Sequence, residues 1–341
     1  MGSIRPPLDL HSTAVLINYE RTSGPNGDYR FRHTKLRDMT TSGSFSTLLH
    51  PPEWFQAADR PKRGFLFRTE KPRAKDSPGD TPDNMVSSDC SQSVAKLTKD
   101  ELSTIFWEVR GHNGCYDSIS IFQNLADLLP SGQTMRVRAP NGTDFITEIS
   151  NRVILEYYLD KPKQATLSIV MPHASVRSHN INGEPVPSQF RYTGEADNMK
   201  HSVWGFCRPN ELEPAVILDL ASMQFGGVGR GRSGDFFILD SPSYWEKFAG
   251  KIAQGLHFRK QSDGINPADD EERETWFMAV AKRVKERWEA RDSNHWCALC
   301  GKPDVTQRCS RCAQDYYCSD AHCLAAWKGW HKKWCVPKTS N

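Results

Sequence analysis

Seven of the ten cysteines in this 341-residue chain fall between Cys297 and Cys335, with His331 placed among them. The eight residues Cys297, Cys300, Cys309, Cys312, Cys318, Cys323, His331 and Cys335 are spaced C-x2-C-x8-C-x2-C-x5-C-x4-C-x7-H-x3-C. Zinc takes thiolates and imidazoles in fours, and a two-residue spacer lets a tight knuckle present both sulfurs to one ion. Eight ligands in four pairs therefore imply two closed Zn(2+) sites, with no open position for a catalytic water. A module of about 40 residues buries too little apolar surface to fold alone. Metal binding must then supply its folding free energy, roughly 10–16 kcal/mol per structural zinc.

Disulfides are the competing use of clustered cysteines, and compartment decides between them. The opening residues lack a basic start followed by an apolar run, so no secretory signal is expected. No apolar run approaches the roughly 18 residues that a membrane helix needs. The expectation is a cytoplasmic or nuclear protein, where metal is favoured over disulfides. A net charge of +3 gives no case for a broad nucleic-acid surface. From Cys297 onward seven Lys/Arg stand against three Asp, a local excess of +4. Nucleic-acid contact through that excess would be weak and steeply salt-dependent, and is the third of three functional readings.

Ahead of the cysteines the pattern reads as an α+β domain over 1–268. "AVLINY" at 14–19 reads as a strand, and 70–98, nearly free of large apolar residues, as a disordered loop. "DSISIFQNLADLL" at 117–129 has helical apolar spacing with Asp117 as its N-cap. "TMRVRA", "FITEI", "VILEYYL", "ATLSIVM", "AVILDL" and "DFFILD" read as strands, and "SPSYWEKFAGKIAQGL" as a helix. Over 269–294 a connecting amphipathic helix carries acids first and bases last, with Trp276, Phe277, Val280, Val284 and Trp288 on one stripe. It leads directly into the cysteine module at 295–335, and a tail of 336–341 follows. "FGGVGRGRSGD" at 225–235 does not match a dinucleotide fingerprint and reads as a mobile loop, with Arg230 and Arg232 free to meet an anion.

The pattern C-x2-C-G-K, R-C-S-R-C, Y-Y-C-S, W and H-K-K-x-C resembles the MYND-type zinc finger across 39 residues. The resemblance implies interleaved ligand pairs: Cys297, Cys300, Cys318 and Cys323 on one zinc, Cys309, Cys312, His331 and Cys335 on the other. This sequence has four residues between Cys318 and Cys323 where the family usually has three, which makes His322 the alternative to Cys323. Cys323 is preferred because its spacing to His331 fits the family. The resemblance further implies a protein-binding module that captures a Pro-rich peptide, with Tyr317, Ser319 and Trp327 as contacts. Leu324 stands where the family commonly has Gln. Trp327, Trp330 and Trp334 are expected on a short helix, covering the second zinc. The SET-domain methyltransferase motifs that accompany some such fingers are absent; "SHNINGEP" at 178–185 has the wrong order.

One further constellation points to catalysis. Cys115 precedes the 117–129 helix, whose N-terminal dipole stabilises a thiolate. His201 and Asp219 follow on or beside strands, an order similar to papain- and transglutaminase-like folds. That resemblance implies a cysteine-dependent hydrolase or transferase in which Cys115 attacks a carbonyl, His201 takes its proton and Asp219 orients the ring. The leading reading remains a zinc-binding regulatory protein that recruits a partner peptide.

Overall fold

The computed structural model describes residues 6–24, 27–28, 30–46, 51–70, 80–173, 186–266 and 270–338. The segment 178–185 lies outside them. Fourteen strands and nine α-helices are described in chain order. The first is β1 (Leu8–Asp9), followed at once by α1 (Leu10–Thr22), β2 (Thr34–Thr40), α2 (Glu53–Ala57) and β3 (Lys62–Thr69). Then come α3 (Gln92–Ala95), α4 (Lys99–Gly111), α5 (Cys115–Asp127), β4 (Thr134–Arg138), β5 (Asp144–Glu148), β6 (Arg152–Pro162) and β7 (Ala165–Met171). The domain closes with β8 (Gln189–Thr193), β9 (Asn198–Cys207), β10 (Pro214–Asp219), β11 (Ile238–Asp240), α6 (Pro242–Ile252), β12 (Ala253–Ser262) and α7 (Glu271–Glu289).

An antiparallel five-stranded sheet in the order β11-β10-β9-β6-β12 organises the molecule. Successive side chains on a strand point to opposite faces, and two cores follow from that alternation. Ile154, Trp204, Phe206, Val216 and Leu218 face α1, α5 and α7. Val153, Leu155, Val203 and Ile217 face Trp245, Phe248 and Ile252 of α6. A second sheet, β2-β3-β7-β8, pairs β3 with β7 in parallel. Phe65 and Phe67 on one of its faces meet α4, while Leu66, Leu167 and Ile169 on the other meet Phe55 of α2. A small sheet, β1-β4-β5, closes one end of the first core.

The α+β class stands, with three local corrections. "AVLINY" is the middle of helix α1, which starts because the Asp9 carboxylate accepts from Ser12 N at 2.9 Å. Leu10, Ala14, Val15, Leu16 and Ile17 are all buried, so the run is apolar on every side and carries no period to tell helix from strand. Residues 80–98 belong to the folded body: Met85 and Val94 are 1% exposed, and Val86 bridges to Leu36. The rest of the stretch read as disordered, 71–79, lies outside the described residues. Asp117 is not the cap of α5; Gly114 occupies that position, and Asp117 is buried one turn in, paired with Arg30 at 3.1 Å and with Arg273.

Candidate metal centres and the buried Cys-His-Asp cluster

After α7 the chain folds into a module of two knuckles, the short hairpin β13 (Gln307–Arg308) with β14 (Tyr316–Tyr317), helix α8 (Asp320–Ala326), one π turn over Trp327–His331 and α9 (Lys332–Trp334). Two groups of four metal-ligating atoms form within it, each group lying within 4.8 Å of one another. The first is Cys297, Cys300, Cys318 and His322; the second is Cys309, Cys312, His331 and Cys335.

A tetrahedral zinc with Zn–S near 2.3 Å sets neighbouring sulfurs about 3.8 Å apart and sulfur–nitrogen pairs slightly closer. The Cys300–Cys318 and Cys309–Cys335 sulfurs are 3.8 and 4.0 Å apart. His322 Nδ1 lies 3.1 Å from the Cys318 sulfur and 3.4 Å from that of Cys297. His331 Nε2 lies 3.6 Å from Cys312. His331 Nδ1, on the other side of the ring, lies 2.7 Å from Asp315 Oδ2. The donor sets fit two zinc ions, each held by three cysteines and one histidine.

His322 occupies the corner expected for Cys323, which lies in neither group. The reason is local: the Ser319 hydroxyl accepts from His322 N at 3.2 Å and starts α8 there. His322 in the first turn faces back to Cys318, and the next residue is rotated by about 100°. Of the expected peptide contacts, Tyr317 is buried in the finger core and Ser319 is engaged as the helix cap, while Trp327 is half-buried and Leu324 exposed.

The module is seated on the α+β domain. Trp330 packs at a tilt on His11 of α1 with ring centroids 4.1 Å apart, and His11 Nε2 meets Asp235 at 3.0 Å. Two glycines permit the approach. A Cβ on Gly329 would stand 2.1 Å from Ser233 O, and one on Gly301, at φ +79°, 2.4 Å from Tyr19 Cβ. Arg287 at the end of α7 binds Glu20 of α1 and Gly301 O of the finger, each at 2.6 Å.

Cross-braced Cys/His sites on interleaved pairs define a small zinc-binding module joined to a larger α+β domain. Residues 297–335 match the family profile of the MYND finger, and this segment is a MYND-type zinc finger, a protein-interaction module. No curated protein and no solved structure matches the chain.

Of the remaining predicted residues, His201 and Asp219 come together. His201 Nε2 lies 2.7 Å from Asp219 Oδ2, and both side chains are wholly buried. Trp245 Nε1 donates to the same carboxylate oxygen at 3.1 Å, and Ala221 N to Oδ1 at 3.0 Å. Burial works against charge on His201, but the Asp219 charge and hydrogen bond, with the Cys115 thiol alongside, overcome it and push the ring's pKa up to about 10. No sequence signal marks Gln224, whose amide lies 3.2 Å from His201 Nδ1, or Trp245, whose ring stacks on His201 at 6.1 Å. Arg230 and Arg232 are not free: they pair with Asp100 at 3.1 Å and Asp240 at 3.0 Å. Their segment opens with an ordered 3-10 turn over Ser222–Gly229. Among the described residues no helix is long and apolar enough to cross a membrane.

Proposed function

We propose that the protein recruits a partner through a Pro-rich peptide laid across the seam between α7 and the zinc finger, with Cys297, Cys300, Cys318 and His322 holding one zinc and Cys309, Cys312, His331 and Cys335 the other. The observation that carries this reading is a recess of about 500 Å³ lined by Trp288, His295, Trp296 and Tyr316. Its aromatics are half-buried, so each offers a face: His295 and Tyr316 are stacked 3.7 Å apart, and Trp288 and Trp296 lie 6.4 Å apart at an angle. Polyproline segments dock into aromatic-lined grooves because their extended helix is already formed and loses little entropy on binding. The zinc ions fix one wall and α7 the other. Because the finger is seated on the domain, the recess has a rigid floor.

Titration of the zinc-loaded full chain with a panel of fluorescent Pro-rich peptides tests this. A binding peptide should lose roughly 30-fold or more in affinity on Trp288→Ala, the size of a central aromatic anchor, with zinc content still two per chain. Loss on Trp327→Ala instead, with Trp288→Ala harmless, moves the seat to the finger's other face. No binding across the panel overturns the Pro-rich reading.

A further inference from the structure

Away from the finger and its seam, a second recess of about 470 Å³ opens between α5, β6, the edge strand β12 and the start of α7. Its chemistry begins with an irregularity in β12. Phe258 pairs with Tyr157 of β6 and Lys260 with Glu156, so Arg259 is an extra residue and two side chains stand opposite Glu156. On a regular strand Arg259 and Lys260 would point to opposite faces. A bulge re-aims a side chain, and here it brings both cations onto one carboxylate. Lys260 Nζ lies 2.9 Å from Glu156 Oε1, and Arg259 holds Oε2. Tyr116 of α5 donates to Oε2 at 3.0 Å. Glu156 is itself 2% exposed, so it anchors the two cations from beneath rather than facing water.

Arg273 of α7 stands on the other side of the recess, and its Nε donates to Asp117 Oδ1 at 3.0 Å. Asp117 also has Arg30 at 3.1 Å, and Arg30 binds Asp28 at 2.6 Å. Arg191 is a further cation, 3.9 Å from Asp117. Arg30 and Arg191 thus balance Asp28 and Asp117, which leaves the charge of Arg273 in excess. One charge of Arg259 and Lys260 is likewise in excess over Glu156, so the recess holds two positive charges beyond those its carboxylates offset. The side chains of Arg259, Lys260 and Arg273 remain 32, 50 and 33% exposed. Guanidinium has five N–H donors and ammonium three, so each can still donate into the recess. Main-chain donors of α7 play no part, because Asp270 accepts from Glu272 N and Arg273 N. Glu274, the nearest acid along the helix, accepts from Asn124 at 3.0 Å.

We infer that this recess binds a small-molecule phosphate monoester, with Arg259, Lys260 and Arg273 on the phosphate, and Ile265 and Phe277 lining the side that meets its organic part. A phosphate monoester carries about −1.5 to −2 charges at neutral pH and three strong acceptor oxygens. That charge matches the excess of two, and guanidinium forks fit phosphate oxygens in pairs. The volume falls within the roughly 300–1,000 Å³ of small-molecule sites. Glu156 is the positioning residue, since it fixes the two cations that the bulge supplies. No lining residue is shared with the aromatic recess at the seam, so the two sites stand or fall separately.

Isothermal titration of the zinc-loaded full chain with phenyl phosphate, at neutral pH and low salt with free zinc removed, tests this. One saturable site per chain is expected, with inorganic phosphate weaker because it lacks the ring. Lys260→Gln leaves Glu156 with Arg259 and Tyr116, and Arg273→Gln leaves Asp117 with Arg30, so both variants should melt as the natural chain does. Each should bind phenyl phosphate roughly tenfold more weakly, the worth of a hydrogen bond to a charged group, and Lys260→Arg should recover most of that loss. Arg60→Gln, whose partner Asp197 lies outside the recess, should bind as the natural chain does. No saturable binding, or the same loss on Arg60→Gln, overturns the site. Tighter binding of succinate than of phenyl phosphate overturns the phosphate assignment. A phosphoserine hexapeptide that binds more tightly than phenyl phosphate overturns the small-molecule assignment in favour of a phosphorylated chain.

Discussion

His322 stands at the fourth corner of the first Cys/His group because of where one hydroxyl starts a helix. The Ser319 cap fixes the first turn of α8, and the histidine in that turn is the residue that looks back at Cys297 and Cys318. Ligand spacing alone favoured Cys323, since spacing counts residues and is blind to rotation about a helix axis. Native mass spectrometry should therefore find two zinc ions on Cys323→Ala and only one firmly held on His322→Ala; the reverse pattern restores Cys323 as ligand. A second residue-scale expectation concerns His201. Its folded pKa, about 10, lies above the ordinary histidine value of 6.5, so the folded state holds the proton longer. The stability this gives is fully present below pH 6.5 and is lost as pH rises through 10. The groups bearing on the ring are the Asp219 carboxylate of β10, which bonds it, and the Cys115 thiol of α5. Thermal melts should fall between pH 6.5 and 10 in the natural chain. Asp219→Asn should flatten that fall and cost about 3–5 kcal/mol at pH 7, the range for breaking a buried ion pair. A slope unchanged by Asp219→Asn assigns it to other groups.

Elements with an outward polar face or a β-branched run were legible in the sequence. "ATLSIVM" is β7 residue for residue, and the α7 stripe of Trp276, Phe277, Val280 and Val284 is buried in the first core. What failed was context. Helix α1 is buried all round and has no period to read, and α4, with its Thr98/Glu101 capping box, follows a stretch whose composition looked disordered. The parallel pairing of β3 with β7 joins segments about 100 residues apart, which no local pattern encodes. The His201–Asp219 pair was legible only as an order along the chain; Gln224 and Trp245 needed the fold. One element-scale contact is directly testable. Arg287 joins α7 to Glu20 of α1 and to the finger backbone, and burial already pushes the Glu20 carboxyl up while Arg287 pulls it back down. Arg287→Ala leaves that carboxylate without its main partner. Urea unfolding should show a loss of about 3–5 kcal/mol, and a loss under 1 kcal/mol shows that Arg283, 3.9 Å from Glu20, takes over.

At the scale of the whole molecule the finger is part of the domain's structure as well as an appendage for binding. Trp330 closes over His11 and Gly329 lies flat on Ser233, so the shape that meets the domain is the shape the second metal site holds. The contacts reach two segments that also serve the buried cluster. Helix α1 touches the finger through His11 and Tyr19 and the cluster through Arg21, and the chain from Gln224 to Phe237 touches His201 at one end and the finger at the other. Zinc removal must then do more than unfold 40 or so residues. Exposing a buried tryptophan and its neighbours costs on the order of 3–5 kcal/mol, a large share of the 5–15 kcal/mol that holds a typical domain together. Hydrogen exchange on the full chain, with and without a strong chelator, should show protection lost first over 297–335 and then in α1 and 231–237, while α6 and β12, remote from the seam, keep theirs. Loss confined to the finger would mean that the domain holds α1 without it, and that the seam is a resting place rather than a structural joint.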